Sequence, residues 1–192
     1  NSYNYFSYFG ICYNCTVSGD LKLWVDDISF SYNPNDITSE VLNPTTQIGG
    51  GNISSTLNSS ATAVDIMRFQ IRDNATSDIL PTKVKTLDIK RGTSTNAANW
   101  ANSIGGFRLR GESGEVTILN QTISADKITL VVDSTTLSIP NGQTKEYTLS
   151  LYLKPNNLVD GSSLKFFIDS VNHGFDAGLS GSDFANIFAR KI

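Results

Sequence analysis

The sequence predicts an all-β protein, an antiparallel β-sandwich with one short helix, and three observations carry this prediction. Polar and apolar side chains alternate over residues 144–154, which is the period of a strand with one buried face. Turn-forming sequences flank that stretch at residues 140–142 and 160–161. Short strand-like segments recur at regular spacing through residues 41–192. Such spacing is typical of immunoglobulin-like and jelly-roll-like sandwiches.

The strand over residues 144–154 is the clearest element. One face would carry Tyr147, Leu149, Leu151 and Leu153, and the other Glu146, Thr148, Ser150 and Tyr152. A second alternating strand follows, with Leu164, Phe166 and Ile168 on one face. Because turn residues join these two strands, we expect them to be neighbours in one sheet.

The other predicted strands are shorter. They cover residues 53–57, 63–72, 84–89, 107–110, 116–123, 127–132 and 136–139. The alternation in the second of these slips once near Met67 and Arg68, which predicts a β-bulge. Residues 96–104 are the helical candidate, with Asn96 as N-cap and with Trp100 and Ile104 on one face. We expect one or two turns of helix there.

The N-terminal part is expected to be organised separately. Residues 21–30 alternate with one slip at the Asp-Asp pair, and they resemble the closing strand of bacterial jelly-roll domains. Residues 1–33 are therefore predicted to be the tail of a preceding sandwich or an added strand, which could also complete another chain's sheet. Residues 34–40 are the predicted linker, and residues 41–192 are the predicted sandwich module.

Composition limits the partners that we expect. Charged residues make up 17% of the 192-residue chain and the net charge is −3, with no basic run, so nucleic acid is not an expected partner. No stretch approaches the roughly 20 apolar residues of a membrane span. Cys12 and Cys15 predict a small disulfide loop, with two idle thiols as the alternative.

No catalytic constellation is present in the sequence, and we expect a protein that is not an enzyme. His173 is the only histidine, and Asp169 and Asp176 are its possible acid partners. The favoured interpretation is structural: the imidazole hydrogen-bonds backbone in a tight turn that Gly174 permits. A hydrolase would instead require His173 to cluster with carboxylates in a pocket.

A series of short segments carries a family resemblance. They are FQIRD at 69–73, LPTKV at 80–84, NW at 99–100, IPNG at 139–142, DGS at 160–162, NHGF at 172–175 and GSDF at 181–184. In this order they resemble accessory modules of large surface proteins that Bacteroidetes, especially flavobacteria, export by type IX secretion. The resemblance implies an extracellular or cell-surface location and a structural or adhesive role beside neighbouring domains of a parent protein.

Calcium is the metal that the loop composition favours. Hard cations need several oxygen ligands, which Asp and Asn in loops can supply. The predicted ligands fall in two groups: Asp73, Asn74 and Asp78 in one loop, and Asp169, Asp176 and Asp183 near the histidine. Ordinary turn-forming aspartates are the alternative.

Aromatic side chains predict the second function, a carbohydrate-binding module of a polysaccharide-degrading enzyme. Trp24, Trp100 and Tyr152 are the candidate stacking residues, although Trp100 on a short amphipathic helix also fits a core position. A third function is a subunit that exchanges strands with like chains in a surface filament. Ser134 and Ser170 follow aspartates in tripeptides that resemble Bacteroidetes O-glycosylation sites.

Overall fold

The computed structural model describes residues 39–74, 80–156, 158–169, 172–177 and 184. Its strands are β1 Ser39–Leu42, β2 Val64–Asp73, β3 Thr82–Lys83, β4 Thr86–Arg91, β5 Ile104–Gly111, β6 Gly114–Val116, β7 Ile118–Ile123, β8 Lys127–Val132, β9 Ser138–Ile139, β10 Thr144–Leu153 and β11 Phe166–Phe167. The helix α1 covers Trp100–Ser103, and a 3-10 turn covers Ser60–Thr62.

Two main sheets organise these strands. The larger sheet has the order β1-β2-β10-β5-β6, the smaller has the order β11-β4-β8-β7, and β3 pairs with β9. Every pairing between these strands is antiparallel. The predicted all-β antiparallel sandwich is confirmed.

One apolar core joins the two sheets. The larger sheet contributes Phe69, Ile71 and Leu149, and the smaller contributes Ile89 and Leu130, all of them 0–1% exposed. These positions alternate with partly exposed polar residues along β2, β4 and β10. The alternation therefore follows from burial of one face of each sheet.

Strand β10 is the central strand of the larger sheet and pairs with both β2 and β5. The predicted division of its faces is confirmed, because Tyr147, Leu149, Leu151 and Leu153 are all buried. Ser150 is also buried although it lies on the polar face. Its hydroxyl donates a 2.6 Å hydrogen bond to an Asp65 carboxylate oxygen, which compensates for the burial.

The prediction that the last two strands are sheet neighbours was wrong. Strand β11 pairs with β4 in the smaller sheet, whereas β10 lies in the larger one. The predicted strand 116–123 also divides between the sheets: β6 pairs with β5, β7 pairs with β8, and Thr117 lies between them. Alternation specifies which face is buried, but it does not specify which strand lies alongside.

Three features differ from the sequence prediction. Residues 53–57 form no strand, and β1 begins at Ser39, inside the predicted linker. The helix N-cap is Asn99, whose side chain accepts a hydrogen bond from the Asn102 amide. The predicted bulge in β2 is confirmed and lies at Ile66, since Leu149 is opposite Met67 and the next residue is opposite Asp65.

Candidate functional site

Trp100 belongs to the core and not to a ligand platform. Its side chain is 1% exposed, and its ring centroid lies 4.9 Å from that of Phe166 in β11 of the smaller sheet. Removing this ring from the core to meet a sugar would cost most of its burial free energy. The ligand-binding prediction for Trp100 is therefore corrected to the core alternative, and Trp24 lies outside the described residues.

Tyr152 is the predicted platform residue that reaches the surface. It is partly exposed on the outer face of the larger sheet, opposite Gly106 of β5. Its ring covers Gly105 and Gly106 so closely that a methyl group on either glycine would lie under 3 Å from the ring. One face of the ring is thus committed to the sheet, which limits any stacking to the remaining surface.

The first predicted calcium loop begins with a carboxylate that points into the protein. Asp73 is 1% exposed, and one of its carboxylate oxygens accepts a 2.9 Å hydrogen bond from the Thr82 hydroxyl. That hydroxyl also lies 2.5 Å from the Ser39 hydroxyl. This buried network ties β1, β2 and β3 together. Asn74 is partly exposed, and Asp78 lies outside the described residues.

The second predicted calcium group is spread out where it is described. Asp169 forms a 2.8 Å ion pair with Lys90, while Asp176 is exposed and its backbone pairs with Thr86. Asp183 lies outside the described residues. Within the part of the chain that the structure describes, no three Asp, Glu, His or Cys side chains are grouped as a metal site. Calcium remains a prediction that depends on Asp78 and Asp183.

The structural interpretation of His173 is confirmed. Its side chain is 1% exposed, and its Nδ1 accepts a 2.9 Å hydrogen bond from the Phe175 amide. Gly174 between them has φ +67°, a conformation that favours glycine. The imidazole also packs edge-on against the Phe175 and Phe184 rings. The chain's single histidine thus stabilises a buried turn.

Of the residues predicted to form a disulfide or to carry a glycan, the structure describes Ser134. Ser134 is partly exposed in the turn between β8 and β9, where the Thr136 amide donates to the Asp133 carbonyl. The Thr135 backbone and side chain both donate to the Asp133 carboxylate and lower its pKa. Cys12, Cys15 and Ser170 lie outside the described residues.

The outer face of the larger sheet carries a row of ion pairs from one edge to the other. The pairs are Glu40–Arg72, Arg68–Glu146, Asp65–Arg110 and Arg108–Glu115. The hydrogen bond from Arg108 lowers the pKa of Glu115, which is itself exposed. Three pairs join neighbouring strands, and Asp65–Arg110 reaches across β10 from β2 to β5. Opposite charges thus neutralise one another across this face, although exposed pairs contribute little stability.

One gap at the edge of the larger sheet is closed by a glutamine side chain. Strand β1 covers β2 only as far as Gln70, so on this side no described strand lies beside the Arg68 backbone. Gln47 fills this place: its Oε1 accepts from the Arg68 amide at 2.7 Å, and its Nε2 donates to the Arg68 carbonyl at 2.9 Å. The side-chain amide therefore replaces a backbone peptide group.

A second glutamine closes the opposite edge in the same way. Strand β6 covers β5 only over Leu109–Gly111, so no described strand pairs with residues 105–107 on that side. The Gln121 Oε1 accepts from the Phe107 amide at 3.2 Å, and its Nε2 donates to the Gly105 carbonyl at 3.4 Å. On each side of the larger sheet, an amide side chain thus bonds backbone that the short edge strand leaves uncovered.

A cleft of about 650 Å³ opens between residues 51–55, residues 98–103 and residues 158–164. A second lobe of about 460 Å³ adjoins it and shares Ala98, Ser103 and the turn 159–162. Both volumes fall within the range of roughly 300–1,000 Å³ that small-molecule sites occupy. Sequence analysis missed this cleft; Asp160 and Gly161 signalled a turn, and nothing in the sequence placed it beside the other two segments.

Comparison with known proteins identifies no relative. No family model, no curated protein and no solved structure matches this chain. In the described part of the chain, no helix has the length and apolar character needed to cross a membrane.

Proposed function

We propose that this chain is a non-catalytic structural or adhesion module of a larger extracellular or cell-surface bacterial protein. The observation that carries the proposal is that Gln47 and Gln121 bond the backbone of β2 and β5 where the edge strands β1 and β6 stop short. A module that lies beside other domains and other copies of itself must avoid uncontrolled strand pairing. These two side chains provide that protection.

The physical basis is the behaviour of sheet edges. Unpaired N–H and C=O groups at an edge offer a template for a strand from another chain. At Arg68, the Gln47 amide occupies both the donor and the acceptor, and Gln121 does the same for residues 105–107. An incoming strand would first have to break these hydrogen bonds, so pairing at these two places is disfavoured.

The outer face of the larger sheet also suits this role. Its charges are paired with charges on other strands, so the face stays hydrated and presents no excess of one sign to a partner. The one imidazole in the chain, His173, accepts a backbone hydrogen bond in a buried turn. The His173 side chain is 1% exposed, so the imidazole is not presented to a substrate at the surface.

The two stretches that the glutamines bond favour the spacer role over strand exchange in a surface filament. Donor-strand assembly needs an open edge along which a foreign strand can add. The larger sheet's edges at Arg68 and at residues 105–107 are occupied from within the chain. We therefore expect the protein to remain monomeric.

Sedimentation velocity on the full chain tests the proposal. The unmodified protein should sediment as a monomer over a wide range of micromolar concentrations. Gln47→Ala combined with Gln121→Ala should increase self-association, because both edges then expose backbone groups. Gln143→Ala is the matched control, since Gln143 is exposed and its side chain makes no hydrogen bond to the described residues. Strand-exchanged oligomers of the unmodified chain would refute the proposal.

A further inference from the structure

We propose that the two-lobed cleft between residues 51–55, 98–103 and 158–164 is a binding site for an uncharged oligosaccharide. This goes beyond the structural role proposed above and uses none of the aromatic residues that the sequence suggested. The cleft combines an apolar floor with a rim of hydrogen-bonding groups that includes one carboxylate, which is the usual composition of a small-molecule site.

The floor and rim are chemically distinct. Ala98 and Leu153 are 5% and 6% exposed and form part of the floor. Asn52, Asn102 and Asp160 are exposed on the rim, and their side chains make no hydrogen bond or ion pair with the described residues. Amide groups can both donate to and accept from sugar hydroxyls, while a carboxylate accepts from two adjacent hydroxyls.

Ser103 provides a hydroxyl group inside the cleft. The residue is 5% exposed and lines both lobes. Its backbone is fully used, because its amide donates to the Asn99 carbonyl and its carbonyl accepts from the Lys154 amide. Its hydroxyl makes no hydrogen bond to any residue that the structure describes, and it is not among the buried unpaired groups. The hydroxyl is therefore accessible from the cleft, where a ligand hydroxyl could bond to it.

The walls of the cleft are held in place before any ligand arrives. The Ala98 amide donates to the Ser163 carbonyl at 2.9 Å, and the Ser163 amide donates to the Asn96 carbonyl at 2.7 Å. The overhanging turn closes through a 3.2 Å hydrogen bond from the Ser162 amide to the Val159 carbonyl, with Gly161 at φ +73°. Such preorganisation lowers the entropy cost of binding.

Charge selects the class of ligand. Among the described residues that line the two lobes, Asp160 is the one charged residue, and none of them is a lysine or an arginine. An anionic ligand would be repelled by Asp160 and would find no cation to pair with. A neutral saccharide presents only hydroxyl groups and apolar ring faces, which match the rim and the floor. The two adjoining lobes suit two consecutive sugar units.

A glycan array carrying neutral and acidic oligosaccharides identifies the ligand class first. Binding to at least one neutral class, without preference for uronic or sulfated glycans, is the expected result. Backbone amide NMR titration with the matching neutral disaccharide, to about 10 mM, then locates the site; that concentration saturates a site with a Kd near 1 mM. We expect shifts concentrated in residues 98–103 and 158–164.

Variants at the rim distinguish binding in this cleft from binding at other surfaces of the protein. Asn102→Ala and Asp160→Ala should each weaken binding about three- to ten-fold, the effect of losing one or two hydrogen bonds. Glu112→Ala, which removes a carboxylate from an exposed turn outside the cleft, should have no effect. Thermal melting confirms that each variant is folded.

Three results would overturn the proposal. The first is an array on which no neutral glycan binds, or on which only acidic glycans bind. The second is binding that both rim variants retain in full. The third is binding that Tyr152→Ala abolishes and the rim variants do not, because the site would then be the outer face of the larger sheet. None of these outcomes alters the sedimentation result, so the two proposals fail independently.

Discussion

Replacing Gly105 by alanine should destabilise the protein in a way that no side-chain truncation can rescue. A Cβ at this position would lie 2.8 Å from the Leu153 carbonyl oxygen, which belongs to the paired strand β10. It would also lie 2.8 Å from two atoms of the Tyr152 ring. The backbone oxygen cannot move without disturbing the central strand, so we expect a loss of about 1–3 kcal/mol, typical of overpacking.

The neighbouring position, Gly106, should behave differently. A Cβ there would lie 2.5 Å from the Tyr152 hydroxyl oxygen, 2.7 Å from Cζ of the same ring and 2.9 Å from the Gln121 Nε2. All three atoms are the far ends of side chains. Tyr152→Ala should therefore recover much of the stability that Gly106→Ala loses, with a coupling free energy of about 1 kcal/mol in a double-mutant cycle.

Urea unfolding followed by tryptophan fluorescence gives the free energies of the cycle. Gly50→Ala is the control, because no atom lies within 4 Å of a Cβ built at that position. If Gly105→Ala lowers the free energy of unfolding no more than Gly50→Ala does, the clash with the Leu153 carbonyl oxygen is refuted. It is also refuted if Tyr152→Ala rescues Gly105→Ala as fully as it rescues Gly106→Ala, since the clash with the backbone would then be unimportant.

Three further predictions follow from individual contacts. Gln47→Ala should cost about 1 kcal/mol in urea unfolding, because exposed hydrogen bonds each contribute modestly; Gln143→Ala should cost close to nothing. Burial raises the pKa of Tyr147 to about 12. The contribution of the neutral phenol to the free energy of unfolding is therefore complete below about pH 10 and is lost as pH rises toward 12. Between about pH 9 and about pH 11 the unmodified protein should lose about 1 kcal/mol more than Tyr147→Phe. His173→Ala should cost about 2–4 kcal/mol and accelerate hydrogen exchange of the Phe175 amide.

Each of these predictions has a clear contrary outcome. Equal stability of the two glutamine variants would mean that the Gln47 hydrogen bonds contribute nothing in solution. Parallel pH profiles for the unmodified protein and Tyr147→Phe would mean that the phenol ionises as it does in the unfolded chain. Unchanged exchange at Phe175 after His173→Ala would mean that the imidazole does not hold the turn.

Several elements could be predicted because their signals are local in the chain. Strand β8 has the predicted bounds of residues 127–132, and β10 buries the four predicted side chains. The turn that contains His173 was predicted from one glycine and confirmed by a single hydrogen bond. In each case the cause is the chain's own period of two or the conformational freedom of one residue.

The pairing of strands could not be predicted from the same signals. Residues 164–168 do alternate as predicted, yet β11 lies against β4 and not against β10. Trp100 illustrates the same limit, because its environment depends on Phe166 from a distant segment. Gln47 and Gln121 look like ordinary surface residues in the sequence. Their roles appear only where a neighbouring strand ends and leaves a backbone group open.

By itself, the sequence determined the fold class, the buried face of each long strand and the structural role of the histidine, because these depend on residues close together in the chain. Only the tertiary structure decided where the edge strands of the larger sheet stop and which segments meet to form the cleft. The cleft's three segments are separated by tens of residues, and they meet only because backbone hydrogen bonds join residues 96–98 to Ser163 and Leu57 to Leu153. Such convergence depends on sheet pairing, which local periodicity does not encode.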